Sequence, residues 1–289
     1  MSLERAMFLI SAAAISLAAP LYGQVQQQEP QPIYHVTVIS RTTKAVNYGH
    51  RSEPTKVDFK GTVLLPMARG EATVESRRGS VLIQARFEHV DAPTRFGPGF
   101  LTYVVWAISP DGRPQNLGEL VLNHADKGKL DAATHMQAFA LIVTAEPYFS
   151  VSQPSDAVVM ENAIRPDTVG NIEEVNASYE LLPRRPFTYE IGKEPAMGPA
   201  VSMDEYESTL AIYQAQNAIQ HARSAGAARY ASDKLSKAEE LLQRAQSYEK
   251  NHSKEIVSTA REATQIAENA RLVALIRMQG ESTTEVADR

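Results

Sequence analysis

Proline is distributed unevenly along this chain of 289 residues, and its distribution limits which folds are possible. All 16 prolines lie at or before Pro199. Residues 203–289 contain no proline, only two glycines and sixteen alanines, and alanine has the highest intrinsic helix propensity. Because proline disrupts helix interiors and central strands, this distribution predicts a turn-rich part followed by a helical part.

The first 23 residues have the pattern of a secretory signal peptide. Arg5 precedes an apolar stretch from Met7 to Leu21, and the small residue Gly23 stands before Gln24. An uncleaved membrane anchor is the alternative, but the stretch is shorter than the roughly 20 residues of a spanning helix. We therefore expect cleavage near Gly23/Gln24, a mature chain without a transmembrane span, and a periplasmic or otherwise exported location, with outer-membrane association left open.

Alternation of apolar and polar residues dominates residues 55–164, which we predict to form a β domain. Ser80–Val90 has Val81, Ile83, Ala85 and Phe87 on one face and Gln84, Arg86 and Glu88 on the other. Phe100–Ile108 and Ala138–Thr144 are apolar on both faces and should be central strands. Trp106, in one of these, is interpreted as a core anchor. Short strands without helical patterns between them favour an antiparallel, Ig-like β-sandwich. The other predicted strands are Lys56–Leu65, Glu71–Arg77, Asn116–Leu122, Gly128–Ala132 and Ala157–Asn162.

Two polar or proline-rich segments flank the β domain. Residues 24–54 form a polar leader, in which Tyr34–Tyr48 is a candidate edge strand. Residues 165–202 contain five prolines and are predicted to be a proline-rich linker.

Residues 203–289 predict three helices that form a coiled-coil domain. Ser202 and Glu205 have the spacing of a capping box, so the first helix should run from Met203 to Ser224 and stop at Gly226. Apolar residues three and four apart are typical of coiled coils, and short connections favour an antiparallel, alanine-rich hairpin. Whether the first helix packs on this hairpin or on the β domain is left open. In the first helix the predicted inner stripe is Leu210, Tyr213, Asn217/Ala218 and Ala222. In the second helix it is Ala231, Leu235, Ala238, Leu242 and Ala245. In the third helix, which should end before Gly280, it is Ile256, Ala260, Ala263, Ala267, Ala270 and Ala274.

Two segments of the predicted β domain carry a family resemblance. In Leu101–Leu120 an aromatic-rich strand leads into a Pro-Asp-Gly turn, and in Ala140–Met160 Glu146-Pro147 and Gln153-Pro154 precede an apolar strand. This arrangement resembles the extracytoplasmic domain of anti-sigma-K factors, which implies a related sandwich and an alternative function in envelope sensing and regulation. Those factors also need a sigma-binding region and a membrane-spanning helix, which we do not expect in the mature chain.

The helical part carries a second resemblance. Ala222–Tyr248 and Ala260–Leu275 contain a Gly-Ala-x-x-Tyr-Ala start and two alanine-rich arms. They are similar to an alanine-rich helical-hairpin domain of unknown function found in bacterial envelope proteins. In many relatives this domain precedes an outer-membrane-protein-A-like, peptidoglycan-binding domain. Whether such a domain has been lost or lies beyond Arg289 is left open.

Motifs with catalytic spacing in this sequence have simpler explanations. Glu88-His89-x-Asp91 and Ser247-x-x-Lys250 are more simply explained as the polar ends of a strand and a helix. The seven histidines are scattered, with none three or four residues from another, and Gly97-Pro98-Gly99 lacks the lysine of a phosphate-binding loop. We therefore predict no catalytic, cofactor-binding or metal-binding residues, no cofactor and no enzymatic activity.

Charge and cysteine content exclude further classes of protein. The net charge is −5 and the basic residues form no cluster beyond pairs such as Arg77-Arg78 and Arg184-Arg185, so no nucleic-acid partner is expected. The absence of cysteine excludes zinc ribbons, disulfides, a thiol nucleophile and a lipidated N-terminal cysteine. We expect an exported, non-enzymatic bacterial envelope protein that acts as a binding module or structural spacer. Its expected partner is an envelope protein or cell-wall component, with ligand and oligomeric state left open.

Overall fold

The computed structural model describes residues 38–49, 53–123, 126–168, 171–180, 202–249 and 251–287. The predicted signal peptide, its cleavage position and most of the polar leader lie outside these ranges. Residues 35–289 belong to one compact unit, so the strands and helices below are parts of a single body.

In the described residues ten strands form the β part, and every pairing between them is antiparallel. Their hydrogen-bonded order is β10-β1-β8-β9-β2-β3-β4-β7, and β5 pairs with both β8 and β6. The strands are β1 (Val38–Asn47), β2 (Thr55–Gly61), β3 (Arg69–Arg77), β4 (Ser80–Glu88), β5 (Thr102–Ile108), β6 (Pro114–Leu120), β7 (Gly128–Thr134), β8 (Ala138–Glu146), β9 (Val158–Ala163) and β10 (Asn171–Glu180).

The sheet bends round until β6 and β7 lie side by side. Within the described residues these strands are joined by one isolated bridge, between Leu122 and Gly128. Leucine side chains fill the rest of the seam: a Cβ at Gly118 would lie 3.1 Å from Leu130 Cδ1, and one at Gly128 would collide with Leu120. The β domain is therefore antiparallel with a nearly closed, barrel-like sheet. Its pairings do not clearly separate two facing sheets, so the sandwich stays a prediction.

The enclosed side of this sheet is an apolar core that we call the barrel core. Phe59 and Phe87 meet there with ring centroids 4.8 Å apart. Alternate residues of β5 and β8 contribute to it, because successive side chains of a strand point to opposite faces. Its buried members include Val57, Phe59, Val74, Ile83, Phe87, Tyr103, Val105, Leu120, Leu130, Phe139, Leu141 and Val143.

The outer faces of β5 and β8 are covered by helices. This explains why both strands are buried along nearly their whole length. Trp106 lies on the outer face, fully buried together with Ile142, Val158 and helical alanines. The predictions of two central strands and of Trp106 as a core anchor are confirmed. The cover on their second face is a helical layer.

The helices that follow in the described part of the chain are α1 (Met203–Ser224), α2 (Ala227–Tyr230), α3 (Ser232–Ser247) and α4 (Ser253–Ala287). Both α1 and α3 contact α4. The start of α1 is confirmed, because the Ser202 side chain accepts a hydrogen bond from the Glu205 amide. Gly226 follows α1 with φ at 84°, a left-handed conformation that glycine adopts without strain. All six residues of the predicted α4 stripe are buried: Ile256, Ala260, Ala263, Ala267, Ala270 and Ala274.

Two helical predictions were wrong in detail. The third predicted helix should have ended before Gly280, but α4 continues to Ala287. A single glycine inside a helix costs about 1 kcal/mol, which is too little to end it. Leu210 and Tyr213 are only half-buried, whereas the predicted Asn217, Ala218 and Ala222 are buried together with the unpredicted Ala211 and Ala215. Alanine permits the closer approach of α1 to α4, so the small residues take the inner positions.

The strand β10 was not predicted. It lies inside residues 165–202, so that segment is not a linker throughout, and it pairs along its whole length with β1. The candidate edge strand within Tyr34–Tyr48 is present as β1, but β10 covers its outer side. The sequence of β10 is largely polar, and its pairing partner lies far away in the chain, so local alternation was a weak signal.

Candidate functional site

A groove lies between α1 and the end of β6, and we take it as the candidate functional site. Its first hollow, of about 190 Å³, is bounded by the first two turns of α1, a 3-10 turn at Pro93–Phe96 and the ends of β5 and β6. The lining is mostly apolar. It consists of Ala92, Pro93, Leu101, Thr102, Tyr103, Leu120, Val121, Leu122, Asn123, Asp126, Met203, Tyr206 and Leu210.

A second hollow, of about 110 Å³, lies further along α1 and reaches α4. Val121 and Leu210 line both hollows, so the two are adjacent parts of one groove. Four of the eight residues that line the second hollow are charged or carry a side-chain amide. Its lining is Glu119, Val121, Glu207, Leu210, Ala211, Gln214, Val257 and Arg261.

Local sequence places the groove residues. Met203, Tyr206 and Leu210 are three and four residues apart, so they lie on one face of α1, and each is half-buried. On the opposite wall, the Tyr103 hydroxyl donates to the Asp91 carbonyl at 2.7 Å and ties the chain before the 3-10 turn to β5. Burial raises the pKa of Tyr103, which keeps this phenol protonated as a donor.

The floor of the second hollow is a buried polar network around Glu119, whose side chain is 4% exposed. Its carboxylate accepts hydrogen bonds from Thr102 Oγ1 at 2.8 Å and from Gln214 Nε2, and it pairs with the Arg261 guanidinium. Arg261 also stacks over the Phe149 ring at 3.7 Å. The network joins β6, α1 and α4, so it fixes the groove walls relative to one another.

A second buried polar network anchors α4 to the β8–β9 connection. Glu268 accepts hydrogen bonds from Tyr148 Oη at 2.7 Å, from the Ser152 amide at 3.1 Å and from two Arg271 nitrogens at 2.7 and 2.8 Å. Burial works against ionisation of Glu268, but the hydrogen bonds and charge of Arg271 together with the hydrogen bonds from Ser152 and Tyr148 outweigh it, so the pKa of Glu268 is lowered. Arg271 also donates to Ser152 Oγ at 3.0 Å. We call these four residues the α4 anchor.

His221 of α1 lies beside this anchor. Its ring meets the Tyr148 ring edge-on, with centroids 5.5 Å apart. Burial, reinforced by the nearby Arg271 charge, lowers the pKa of His221 to about 4, so the imidazole is neutral at physiological pH.

Glu146, at the end of β8, is a third buried polar group on the helix-covered side. Its Oε1 accepts hydrogen bonds from Thr144 Oγ1 and from the Ser155 amide, while Oε2 is buried without a hydrogen-bond partner. Thr144 in turn accepts from Trp106 Nε1 at 2.7 Å. Burial raises the pKa of Glu146 to about 8, so this carboxyl is mostly protonated at pH 7.

The motifs considered in the sequence do not converge on this groove. Glu88 pairs with Lys127 and Arg69, whereas His89 Nε2 lies 3.0 Å from Arg69 and Asp91 pairs with Arg95. Glu88 and His89 thus share the contact with Arg69, whereas Asp91 belongs to a separate surface ion pair. Ser247 Oγ donates to the Arg244 carbonyl at 2.8 Å, and Lys250 lies outside the described residues.

The described part of the chain contains no cluster of three or more acidic or histidine side chains that could hold a metal ion. Among the same residues, no helix combines the length and apolar character needed to cross a bilayer. The groove was not predicted from the sequence. The local pattern that indicates it is the spacing of the apolar residues Met203, Tyr206 and Leu210 on α1. That pattern was not recognised because Leu210 was assigned to the inner stripe.

Comparison with known proteins relates the helical part to a protein family. The family model described as a domain of unknown function (DUF4398) matches residues 211–285, which include most of α1 and all but the end of α4. This agrees with the resemblance of the helical part to a domain of unknown function, whereas the resemblance of the β domain to anti-sigma-K factors is not confirmed. No curated protein and no solved structure matches the chain.

Proposed function

We propose that this protein is an exported, non-enzymatic component of a bacterial envelope that acts as a binding module, with the groove between α1 and β6 as its binding site. The observation that carries the proposal is the composition of the groove. Its walls come from both the β domain and the helices, with Val121 on one side and Leu210 on the other. A spacer only has to span a distance. A concave site built jointly by two parts of the chain is instead typical of a binding protein.

The rigidity of the groove supports the same function. Glu119 and the α4 anchor hold the helices on the sheet through hydrogen bonds that span β6, the β8–β9 connection, α1 and α4. A site that is held in place before binding loses less conformational entropy when its ligand arrives. Residues of α1 and α4 are packed against the sheet, which argues against use of these helices as an extended arm.

The finer architecture forms part of the proposal. We propose that α3 and α4 form the antiparallel arms of an alanine-rich hairpin, because Leu241, Ala245, Ala260 and Ala263 share one apolar cluster. The nearly closed sheet is proposed to be a distorted sandwich related to anti-sigma-K sensor domains. Export is supported by the signal-peptide pattern of residues 1–23.

Photo-crosslinking in cells tests the proposed function. A photoreactive amino acid replaces Leu210 in the groove, and a matched variant carries it at Leu272, a leucine of α4 that is 37% exposed and lies outside both hollows. We expect position 210 to crosslink to a defined envelope component in the exported fraction, and position 272 not to do so. Equal crosslinking at both positions, or a chain retained in the cytoplasm, would contradict the proposal.

A further inference from the structure

We infer that the groove binds a peptide segment that combines apolar and cationic side chains. This inference rests on the proposed function and names the class of ligand. The size of the hollows is its first support. At about 190 and 110 Å³ each is smaller than the roughly 300–1,000 Å³ of pockets that enclose small molecules. Two small adjacent hollows that share Val121 and Leu210 suit successive side chains of one peptide.

The lining of the first hollow determines the apolar part of the ligand. Leu101, Leu122 and Leu210 are all half-buried, so each leaves apolar surface accessible in the groove. An aliphatic or aromatic side chain placed against them would be removed from water on both sides. Met203 contributes a flexible wall, which adapts to side chains of different shape.

The charges around the groove determine the cationic part. Glu119 is neutralised by Arg261, and Asp91, next to the lining residue Ala92, is neutralised by Arg95. Two lining carboxylates, Asp126 and Glu207, are exposed, and in the described part of the chain no basic side chain pairs with either of them. One belongs to each hollow. The uncompensated charge of the groove is therefore negative, and it complements a lysine or arginine at each end of the bound segment.

Peptide binding to the purified full chain tests this inference. The probe is a fluorescein-labelled peptide of alternating lysine and leucine, and its two controls replace every lysine by glutamate or every leucine by serine. Fluorescence anisotropy at low salt should show binding of the lysine–leucine peptide and at least tenfold weaker binding of either control. Added salt should weaken the binding, because the two carboxylates are exposed to solvent.

Variants of the chain then locate the binding site. Asp126→Asn and Glu207→Gln should each weaken binding about two- to fivefold, the range of exposed ion pairs. Glu262→Gln removes an exposed carboxylate of α4 outside both hollows and should leave binding unchanged. Leu210→Glu should abolish binding, whereas Leu272→Glu should not. Circular dichroism of each variant checks that it is folded.

The outcomes separate this inference from the proposed function. If the glutamate–leucine peptide binds as well as the lysine–leucine peptide and Leu210→Glu abolishes both, the groove is a binding site but the inference of a cationic ligand is wrong. If Glu262→Gln weakens binding as much as Glu207→Gln, the attraction is non-specific and the inference is also wrong. If no peptide binds in a manner that depends on Leu210, the inference of a peptide ligand is wrong, whereas the proposed binding site is contradicted only if crosslinking at position 210 also fails.

Discussion

Apolar cores of different chemistry lie on the two opposite faces of strands β5 and β8. The barrel core contains large aliphatic and aromatic residues such as Phe59, Phe87 and Leu141. The core between sheet and helices, which we call the interface core, is rich in alanine, with Ala218, Ala267 and Ala270 fully buried. It adjoins Glu146, His221 and the Glu268–Arg271 pair. The same strands β5 and β8 therefore present very different partners on their two sides.

The two cores contribute differently to the stability of the protein. Large apolar side chains supply most of the burial energy and accept volume-conserving changes. Alanines supply little area but allow close approach, and buried charged groups are stable only when their partners are correctly placed. We therefore expect the barrel core to provide bulk stability and the interface core to determine how the helices sit on the sheet.

The largest effect should come from the α4 anchor. Glu268→Gln leaves the Arg271 guanidinium buried without a carboxylate, and we expect a loss of about 3–5 kcal/mol in the free energy of unfolding. Urea denaturation measures it. Glu262→Gln, on the exposed face of the same helix, should change stability by less than about 0.5 kcal/mol. A double variant, Glu268→Leu with Arg271→Met, should recover much of the loss. Equal midpoints for Glu268→Gln and Glu262→Gln would show that the pair does not anchor α4.

The next effect should be a pH dependence caused by Glu146. The pKa of Glu146 is about 8 in the folded chain, compared with 4.5 for an unperturbed glutamate, so the folded state binds more protons than the unfolded state between pH 4.5 and 8. Stability should therefore fall by up to about 1.4 kcal/mol per unit as pH rises through this window. Glu146→Gln keeps an oxygen for the Thr144 and Ser155 donors and should remove this fall, so the variant should be more stable than the parent at pH 9.

The control for that prediction is Glu161→Gln, a half-buried carboxylate in β9 for which we expect no change in the alkaline slope. Melting temperatures recorded from pH 5 to 9 provide the measurement. Parallel curves for the parent chain and Glu146→Gln would show that Glu146 is already ionised in the folded protein.

A smaller effect should come from overpacking the alanine seam. Ala267 is fully buried where α4 faces the sheet, and Ala267→Leu should destabilise the chain by about 1–3 kcal/mol. Gln265→Leu adds an equally bulky apolar side chain at an exposed position of the same helix and should be nearly silent. Thermal melting compares the two, and equal, negligible shifts would show that the seam is misassigned.

The smallest effect should be an acid dependence from His221. The pKa of His221 is about 4 in the folded chain, compared with 6.5 for an unperturbed histidine, so the unfolded state binds more protons than the folded state between pH 4 and 6.5. Stability should be lost as pH falls through this window. His221→Phe preserves an aromatic contact with Tyr148 and should flatten the slope between pH 4 and 6.5, while exposed His252→Phe should not. Urea midpoints at several pH values test this, and an unchanged slope in His221→Phe would exclude His221 as its source.

Several elements could be predicted from the sequence because their signals are local. The Ser202 cap, the stop at Gly226 and the stripe from Ile256 to Ala274 each depend on residues a few positions apart. Strand β10 and the groove could not be predicted, since each is completed by a partner far away in the chain. Glu146 shows the same limit: its sequence neighbours indicate a strand end, but its pKa depends on what the helices and the β8–β9 connection cover.

By itself, the sequence determined the order of the parts: strands where prolines and alternation occur, then helices where proline is absent and alanine recurs. It also determined that β5 and β8 must be covered on both faces, because their side chains are apolar in both directions. Only the tertiary structure decided that helices provide the second cover and that a groove forms where α1 meets β6. The physical reason is that hydrophobic burial is non-directional, so an apolar face requires a cover but does not specify which element supplies it.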